Sequence, residues 1–384
     1  MKELKKNLEK RYSYETRYVN DFELLRKQIF DKTIIPHQVE IQPGPEQGNI
    51  CWLKCPYCYG SSSTDTKERL SNERYLEIVQ QIVDGGVRKV VFAGYATDPL
   101  NYTHIEDLLQ IAIDGKLIFG FHTKAIRVSD RLISLITGSN IEPLSYFSVS
   151  VDAGSNSTYA KVHGMKNTNS KLYDKVILNL KKISRVREQS GGPLDISATY
   201  LLNRLNWTTE EVTKSILNLK ESGVDLIRFS FPQLPRGYEM TEQDDNVPNL
   251  EEIQECMRRL SPIIDGLTST QTQVLIIDMD QEYDQFRKIR TTPCFARYIY
   301  PSIGFDGYLA HCSESAAPHF RDIAIGNLNE IDFWDLFYSY DPDKLKLYYE
   351  DITKKMEQTG CKCDRKEHVV NQAIINSGLF KNYV

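Results

Sequence analysis

Residues 51–60 read CWLKCPYCYG and place three of the chain's eight cysteines in one short stretch. Their spacing is C-x3-C-x2-C, formed by Cys51, Cys55 and Cys58. The segment HQVEIQ (37–42) alternates like a strand, so the cysteines fall in the loop that follows it. A structural zinc site takes four ligands, usually as two closely spaced pairs. Three thiols from one loop instead suit a [4Fe–4S] cluster whose remaining iron stays open to another ligand.

Strand-like and helix-like segments alternate downstream of this loop. The strand candidates are 89–94, 117–122, 146–151, 194–202 and 225–231, and the helical patterns are 69–84, 104–114, 128–137, 168–188, 209–222 and 249–265. Strands that are separated by helices predict βα units and a parallel sheet. Together with HQVEIQ they make six βα units, which fit either a doubly wound sheet or an incomplete barrel.

Composition and charge exclude several classes of function. The chain has 384 residues, 26% of them charged, and its net charge is −5. This charge gives no indication of the excess of basic residues that is typical of nucleic-acid binding. No apolar run approaches the ~20 residues that span a membrane, and the N-terminus has no apolar signal segment. We therefore expect a cytoplasmic protein without nucleic-acid or membrane partners. In such a reducing setting, clustered cysteines more often bind metal or act as catalysts than form disulfides.

The cysteine loop resembles that of the radical S-adenosylmethionine (radical SAM) enzymes. In that family C-x3-C-x2-C, with an aromatic residue before the last cysteine, follows the first strand of a (βα)6 chain. The resemblance implies a partial (βα)6 TIM-like barrel in which the open iron binds S-adenosylmethionine. It further implies reductive cleavage to a 5′-deoxyadenosyl radical that abstracts a hydrogen from the substrate. A zinc-binding loop or a chance cluster of cysteines is the alternative.

The resemblance also implies contacts to S-adenosylmethionine near the first strands. Tyr57 matches the aromatic position and would lie near the adenine. Gly94, Thr97 and Asp98, in AGYATDPL (93–100), occupy the place of a glycine-rich turn that binds the amino group of the cofactor. An ordinary strand-to-helix turn is the alternative for these three residues.

Further candidate contacts follow later strands. Ser150 matches a serine that touches the ribose, and Asp152 either faces the pocket or caps the next turn. Lys124 ends a predicted strand, where barrel enzymes build their sites, although a solvated lysine is the alternative. His163 is interpreted as a surface histidine.

A second set of cysteines lies near the C-terminus. CFARYIYPSIGFDGYLAHC (294–312) can be written C-x12-G-x4-C, and GCKC (360–363) follows, so the set is Cys294, Cys312, Cys361 and Cys363. The pattern resembles the opening of the SPASM and Twitch extensions of radical SAM enzymes, where it begins a β-hairpin that holds an auxiliary [4Fe–4S] cluster. Four cysteines match the shorter Twitch form. A structural zinc ion held by the same four thiols is the alternative.

Three other side chains are candidates for chemistry. Cys256 lies on an apolar helical stripe typical of a buried core thiol, and the alternative is a donor of hydrogen to a substrate radical. Arg228 would hold a carboxylate or phosphate of substrate or cofactor if it faced the barrel, and would pair with a helix if it faced outward. Asp278 is either a base near the substrate or a turn former.

These features predict an N-terminal helical extension over 1–34, a radical SAM partial barrel over 35–270 and a small α+β Twitch-like domain over 271–384. The predicted cofactors are S-adenosylmethionine and two [4Fe–4S] clusters. A reductant such as flavodoxin or ferredoxin is the predicted protein partner.

The substrate is the least determined feature of the sequence. The stretch SVDAGSNSTYAKVHG (150–164) is similar to relatives that act on sugars and cyclitols. It favours an oxidoreductase-like enzyme that oxidises or rearranges a polar, carbohydrate- or cyclitol-like small molecule. One alternative is the maturation of a ribosomally made peptide by crosslinking or epimerisation. A zinc-stabilised binding scaffold is the non-enzymatic alternative.

Overall fold

A computed structural model describes residues 19–44, 51, 53–55, 57–58, 68–95, 97–167, 169–232, 248–277, 288–378 and 380–381. Asp278 and residues 1–18 of the predicted N-terminal extension lie outside the described residues. The chain divides into two compact units, each described by itself. The terminal unit comprises Met1–Gln42, Thr66–Val90 and Gln285–Val384, and the central unit comprises Pro43–Asp65 and Val91–Asp284. The domain bounds expected from the sequence stay a prediction.

The strands fall close to the segments that alternate or are rich in β-branched and aromatic residues. They are β1 (Val39–Ile41), β2 (Lys89–Phe92), β3 (Ile118–Thr123), β4 (Tyr146–Ser150), β5 (Asp195–Leu201), β6 (Leu226–Ser230), β7 (Gln273–Ile276), β8 (Ser302–Ile303), β9 (Tyr308–Ala310) and β10 (Gly326–Asn327).

The α-helices of the described ranges mostly follow the apolar periodicity of the sequence. They are α1 (Phe22–Phe30), α2 (Asn72–Asp84), α3 (Ile105–Asp114), α4 (Asp130–Ile136), α5 (Asn156–Val162), α6 (Leu172–Ser190), α7 (Thr209–Glu221), α8 (Leu250–Leu267), α9 (Phe333–Phe337), α10 (Leu345–Gln358) and α11 (Arg365–Asn376). Polar caps begin many of them, and Asn249 with Glu252 forms a capping box at the start of α8. None of the described helices combines the length and apolar character needed to cross a membrane.

The central unit contains a parallel sheet in which β3, β4, β5, β6 and β7 lie in sequence order. Each connection between consecutive strands of this sheet contains at least one helix, from α4 to α8. This is the arrangement that successive βα units produce. The predicted α/β fold with a mostly parallel sheet, like that of radical SAM partial barrels, is confirmed.

This sheet has one apolar face and one polar face, because successive side chains of a strand point to opposite sides. The apolar face is buried and consists of Phe119, Phe121, Phe147, Val149, Ile196, Ala198, Ile227 and Phe229. Helices cover it, since α3 packs against β3 and α8 against β7. The opposite face carries His122, Ser148, Ser150, Ser197, Thr199 and Arg228. Polar side chains are therefore concentrated on the face opposite the apolar one.

In the terminal unit, strands that are far apart in sequence pair with each other. β1 is parallel to β8, with Glu40 opposite Ser302. β8 and β9 form an antiparallel hairpin, and β10 is antiparallel to β9. Gly307 lies in the hairpin turn with a φ of +86°, a conformation that glycine adopts without strain. The hairpin is the one that the C-x12-G-x4-C pattern implies.

Candidate functional site

The three thiols of the C-x3-C-x2-C loop gather with apolar side chains in the central unit. Cys55 is buried, Cys51 and Cys58 are partly buried, and none of the three forms a disulfide. Leu53 and Val162 belong to the same cluster of side chains. Burial raises the pKa of Cys55 to about 12. Because metal ligands must be thiolates, a bound metal would have to supply the charge that stabilises them here.

An ion pair lies beside this loop. The Lys124 Nζ donates a hydrogen bond to Asp152 Oδ2 at 2.7 Å, and the hydroxyl of Tyr57 donates to the same oxygen at 2.9 Å. The Asp152 side chain is fully buried and that of Lys124 is 17% exposed. Burial alone would raise the pKa of Asp152, but the Lys124 ammonium and the hydrogen bonds from Lys124 and the Leu201 amide together help to offset it, and the pKa is lowered. Three of the predicted site residues therefore meet, and the lysine is not a solvated one.

Backbone contacts hold Asp152 where β4 ends. Its φ is +55°, in the left-handed region that aspartate tolerates better than most residues. Its Oδ1 accepts a hydrogen bond from the Leu201 amide at 2.7 Å, and its carbonyl accepts from Asn206 Nδ2 at 2.9 Å. These bonds connect the end of β4 to the end of β5, so the position of the carboxylate is determined by two neighbouring strands.

The turn after β2 is tightly folded and is tied to the end of β3. A Cβ at Gly94 would lie 1.8 Å from the carbonyl oxygen of Thr97, so the turn requires glycine there. Asp98 Oδ1 accepts from Thr123 Oγ1 at 2.8 Å, and its Oδ2 accepts from the amide of Lys124. Burial raises the pKa of Asp98 despite these bonds. The proposed contacts of this turn with S-adenosylmethionine stay predictions.

His163 contacts the cysteine loop, a role that the sequence did not indicate. Its Nδ1 lies 3.1 Å from Cys55 Sγ, and its carbonyl accepts a hydrogen bond from the Lys54 amide at 2.9 Å. The side chain is fully buried, with the Tyr159 ring centroid 4.2 Å from its own. Burial lowers the pKa of His163 to about 3, so the imidazole is neutral. The interpretation as a surface histidine is wrong, because the end of α5 packs against the loop.

Ser150 and Arg228 lie on the polar face of the parallel sheet. Ser150 of β4 is in register with Thr199 of β5, which is in register with Arg228 of β6. Residues in register on parallel strands share a face, and Thr199 Oγ1 donates to Ser150 Oγ at 3.2 Å. The sequence left two orientations open for Arg228. In the structure its side chain lies on the polar face, away from the helices that cover the apolar face.

Cys256 lies on α8, the helix that packs against β7 and α7. It is 2% exposed and belongs to the buried stripe with Ile253, Leu260 and Ile264. Burial raises its pKa to about 11. This placement is that of a core thiol on the apolar side of the sheet. Its possible role as a hydrogen donor stays a prediction, as does the role of Asp278, which lies outside the described residues.

The second cysteine set is buried in the terminal unit. None of its four cysteines forms a disulfide, and each is at most 8% exposed: Cys294, Cys312, Cys361 and Cys363. Burial raises the pKa of Tyr300, and the charges of Glu367, Cys294, Cys312 and Cys363 raise it further. Burial alone would lower the pKa of Arg290, but the charges of Cys363, Cys294 and Cys361 offset this effect and the pKa is raised. The fold therefore buries four thiols that are separated in sequence.

Thiolates are ligands both of single zinc ions and of iron–sulfur clusters, and the two differ in how far apart the sulfurs lie. Among the described residues, which include all seven of these cysteines, no group of three or more His, Cys, Asp or Glu side chains could hold one metal ion. A zinc ion needs its four thiolates within about 2.3 Å of one point. In a [4Fe–4S] cluster each thiolate binds a different iron, so the sulfurs lie farther apart.

A family model described as the radical SAM superfamily matches residues 46–191. This range contains the three-cysteine loop, the ion pair of Lys124 with Asp152, and His163. The matched segment thus contains Tyr57, Lys124 and Asp152, the predicted site residues that meet beside the cysteine loop.

Individual proteins are also similar to this chain. The sporulation killing factor maturation protein SkfB of Bacillus subtilis (strain 168) is 22% identical over 327 residues, covering 82% of this chain and 67% of SkfB. The structure of Streptococcus suis SuiB bound to S-adenosylmethionine has a TM-score of 0.56 at 17% identity, covering 79% of this chain and 66% of SuiB. SuiB bound to its precursor peptide SuiA has a TM-score of 0.61 at 16% identity, covering 88% and 74%. The chain spans about two thirds of the length of the first two matches.

Proposed function

Because this chain belongs to the radical SAM superfamily, we propose that it modifies a precursor peptide by radical chemistry. Membership brings S-adenosylmethionine and a [4Fe–4S] cluster as cofactors. One relative is named as a maturation protein, and the other was crystallised with a precursor peptide. Both support a peptide partner for this chain. The small-molecule substrate that the sequence favoured, carbohydrate- or cyclitol-like, is therefore wrong.

The contact of the cysteine loop with the ends of β3 and β4 carries the proposal. Tyr57 of the loop and Lys124, which directly follows β3, meet on one oxygen of Asp152, next to Cys55 and His163. With its cofactors bound at this place, the family's chemistry supplies one electron that cleaves S-adenosylmethionine, and the product removes a hydrogen atom from the substrate. Cys51, Cys55 and Cys58 would hold the cluster through three of its irons.

The surrounding residues would hold S-adenosylmethionine by charge and hydrogen bonding. Lys124, kept charged by Asp152, is a cation suited to the carboxylate of the cofactor. Ser150 offers a hydroxyl to the ribose, and Tyr57 an aromatic ring to the adenine. Gly94, Thr97 and Asp98 form the turn proposed to lie at the amino group.

The polar face of the sheet suits a peptide. A peptide presents an amide donor and a carbonyl acceptor at nearly every residue, and these groups lose stability if they are buried without partners. Ser148, Ser150 and Thr199 offer hydroxyls on that face, and Arg228 offers a guanidinium to a carboxylate. We take these side chains to orient the segment from which hydrogen is removed.

The first experiment tests the radical chemistry. The protein is purified without oxygen, reconstituted with iron and sulfide, and reduced with dithionite in the presence of S-adenosylmethionine. We expect about eight irons per chain in the wild type and about four in a Cys51/Cys55/Cys58→Ala variant, with 5′-deoxyadenosine formed only by the wild type. Tightly bound zinc without iron, and no 5′-deoxyadenosine, would leave the zinc-stabilised scaffold as the function.

The second experiment tests the peptide. The protein is co-expressed with short peptides encoded beside its gene, and each peptide is analysed by mass spectrometry. Crosslinking removes two hydrogens for each new bond, whereas epimerisation leaves the mass unchanged in ordinary water and adds deuterium in heavy water. Cys256→Ala should leave a crosslink intact, and it should abolish deuterium uptake only if Cys256 donates the hydrogen. Formation of 5′-deoxyadenosine without change in any peptide would contradict the peptide substrate.

A further inference from the structure

A buried arginine lies against the second cysteine set. Arg290 is 7% exposed, and its Nη1 donates a hydrogen bond to Cys363 Sγ at 2.8 Å. Its backbone amide donates to the Cys361 carbonyl at 2.7 Å, and its Nη2 donates to the Pro293 carbonyl. The residue therefore joins the segment that precedes Cys294 to the segment that carries Cys361 and Cys363.

The charge of Arg290 needs an anion. An unpaired guanidinium is expensive to bury, and a neutral thiol cannot compensate it. Its guanidinium donates hydrogen bonds to Cys363 Sγ and to the Pro293 carbonyl, and of these two acceptors only the sulfur becomes an anion when it binds metal. Four thiolates around a metal cluster would supply the negative charge that the buried guanidinium requires. The pairing thus favours a ligated, anionic state of this cysteine set.

Two further side chains that contact the set are neutral. Asn371 Nδ2 lies 3.6 Å from Cys294 Sγ, and Ser315 Oγ lies 3.5 Å from Cys312 Sγ. A hydrogen bond from a charged donor is roughly twice as strong as one from a neutral donor. Of the three side chains, Arg290 is therefore the one whose effect depends most on the charge of the cluster.

Reduction of a [4Fe–4S] cluster adds one electron and hence one negative charge. The reduction potential depends on net charge, on hydrogen bonds to the sulfurs and on exposure to solvent. We propose that Arg290 is a positioning residue that raises the reduction potential of the auxiliary cluster, so that this cluster takes up an electron more readily than its four thiolates alone would allow. The inference rests on the proposed function, because it requires that the second set holds a [4Fe–4S] cluster.

The test uses the full chain with Cys51/Cys55/Cys58→Ala, so that any iron–sulfur signal comes from the second set. Arg290→Lys keeps the charge, Arg290→Gln keeps an N–H donor without charge, and Arg290→Met keeps neither. Each variant is reconstituted, its iron is counted, and the midpoint potential is measured by a redox titration followed by electron paramagnetic resonance. Arg321→Gln removes a cation of the same unit that pairs with Asp306 and serves as the matched control.

We expect a shift to lower potential in Arg290→Gln, a larger shift in Arg290→Met, and a small one in Arg290→Lys and in the control. Equal potentials in all variants, at about four irons per chain, would overturn the inference but leave the proposed function intact. Loss of iron from Arg290→Gln with retention in Arg290→Lys would also overturn it, because the charge would then be needed for holding the cluster and not for tuning it. If the Cys51/Cys55/Cys58→Ala protein binds no iron even with Arg290 in place, the auxiliary cluster itself is refuted, and with it the basis of the inference.

Discussion

Replacing Asp152 by asparagine removes the anion of the buried ion pair while leaving the shape of the site unchanged. Asparagine tolerates the φ of +55° and keeps an oxygen for the Leu201 amide. The Lys124 ammonium, 17% exposed, is then left without its partner at 2.7 Å. The perturbation therefore measures the charge pair and not the turn.

The expected loss of stability follows from the burial of the pair. Removing one member of a buried pair costs about 3–5 kcal/mol, since the remaining charge stays uncompensated. Because Lys124 retains some contact with solvent, we expect the lower end, about 3 kcal/mol, for Asp152→Asn. Lys124→Met leaves a fully buried carboxylate that still accepts hydrogen bonds from Tyr57 and Leu201, and should cost a similar amount.

The assay is a double-mutant cycle. The free energy of unfolding is measured by urea titration and far-ultraviolet circular dichroism, on protein freed of iron with a chelator. The double variant Asp152→Asn/Lys124→Met should be less destabilised than the sum of the single variants, by about 2 kcal/mol. Additive effects, or single variants that each lose under about 1 kcal/mol as exposed pairs do, would refute the interpretation of a buried, coupled pair.

Three further predictions concern single positions. Gly94→Ala should lower the free energy of unfolding in urea by about 2–3 kcal/mol, because the added Cβ would overlap the Thr97 carbonyl. In the control Gly266→Ala the added Cβ has nothing within 4 Å, and the change should stabilise α8 by up to about 1 kcal/mol. Iodoacetamide labelling followed by mass spectrometry should leave Cys256 unmodified as the pH rises through 9. Its pKa of about 11 keeps it a thiol at that pH, whereas exposed thiols ionise. Rapid labelling at pH 9 would contradict its burial. His163→Leu removes the polar ring nitrogen that lies 3.1 Å from Cys55 Sγ and should lower the reduction potential of the first cluster, whereas His163→Asn keeps a polar side chain there and should leave the potential nearer the wild-type value. Equal potentials would show that the contact is only packing.

Much of the central unit could be predicted from periodicity. Each of the predicted strands between 89 and 231 corresponds to an observed strand, because β-branched and aromatic runs between turn residues leave few other local structures. Helix α5 was missed, since its seven residues lie in a polar stretch without an apolar stripe. The wrong interpretation of His163 as a surface residue followed from that omission, because the histidine directly follows α5 and is directed by it toward the cysteine loop.

The two cysteine sets could be predicted from the spacing of the cysteines in the sequence, but the residues that surround them in the fold could not. Arg290 was not singled out, because nothing in its local sequence distinguishes it from an ordinary surface arginine. The orientation of Arg228 was left open for a related reason: a shift of one residue in strand register moves a side chain to the other face. In both cases the deciding contact involves residues that are distant in sequence, such as Cys363 for Arg290 and Thr199 for Arg228.

Spacing and periodicity are local properties of the chain, and they indicated the resemblance to the family, the order of the βα units and the seven candidate ligands. The folded arrangement was needed to show that Lys124, Asp152 and Tyr57 share one hydrogen-bonded site and that His163 contacts Cys55, a residue 108 positions away. These contacts arise where strand ends and loops meet, and they depend on how the sheet is aligned. The free energy of a buried charge or thiol depends on such neighbours, and no local pattern specifies them.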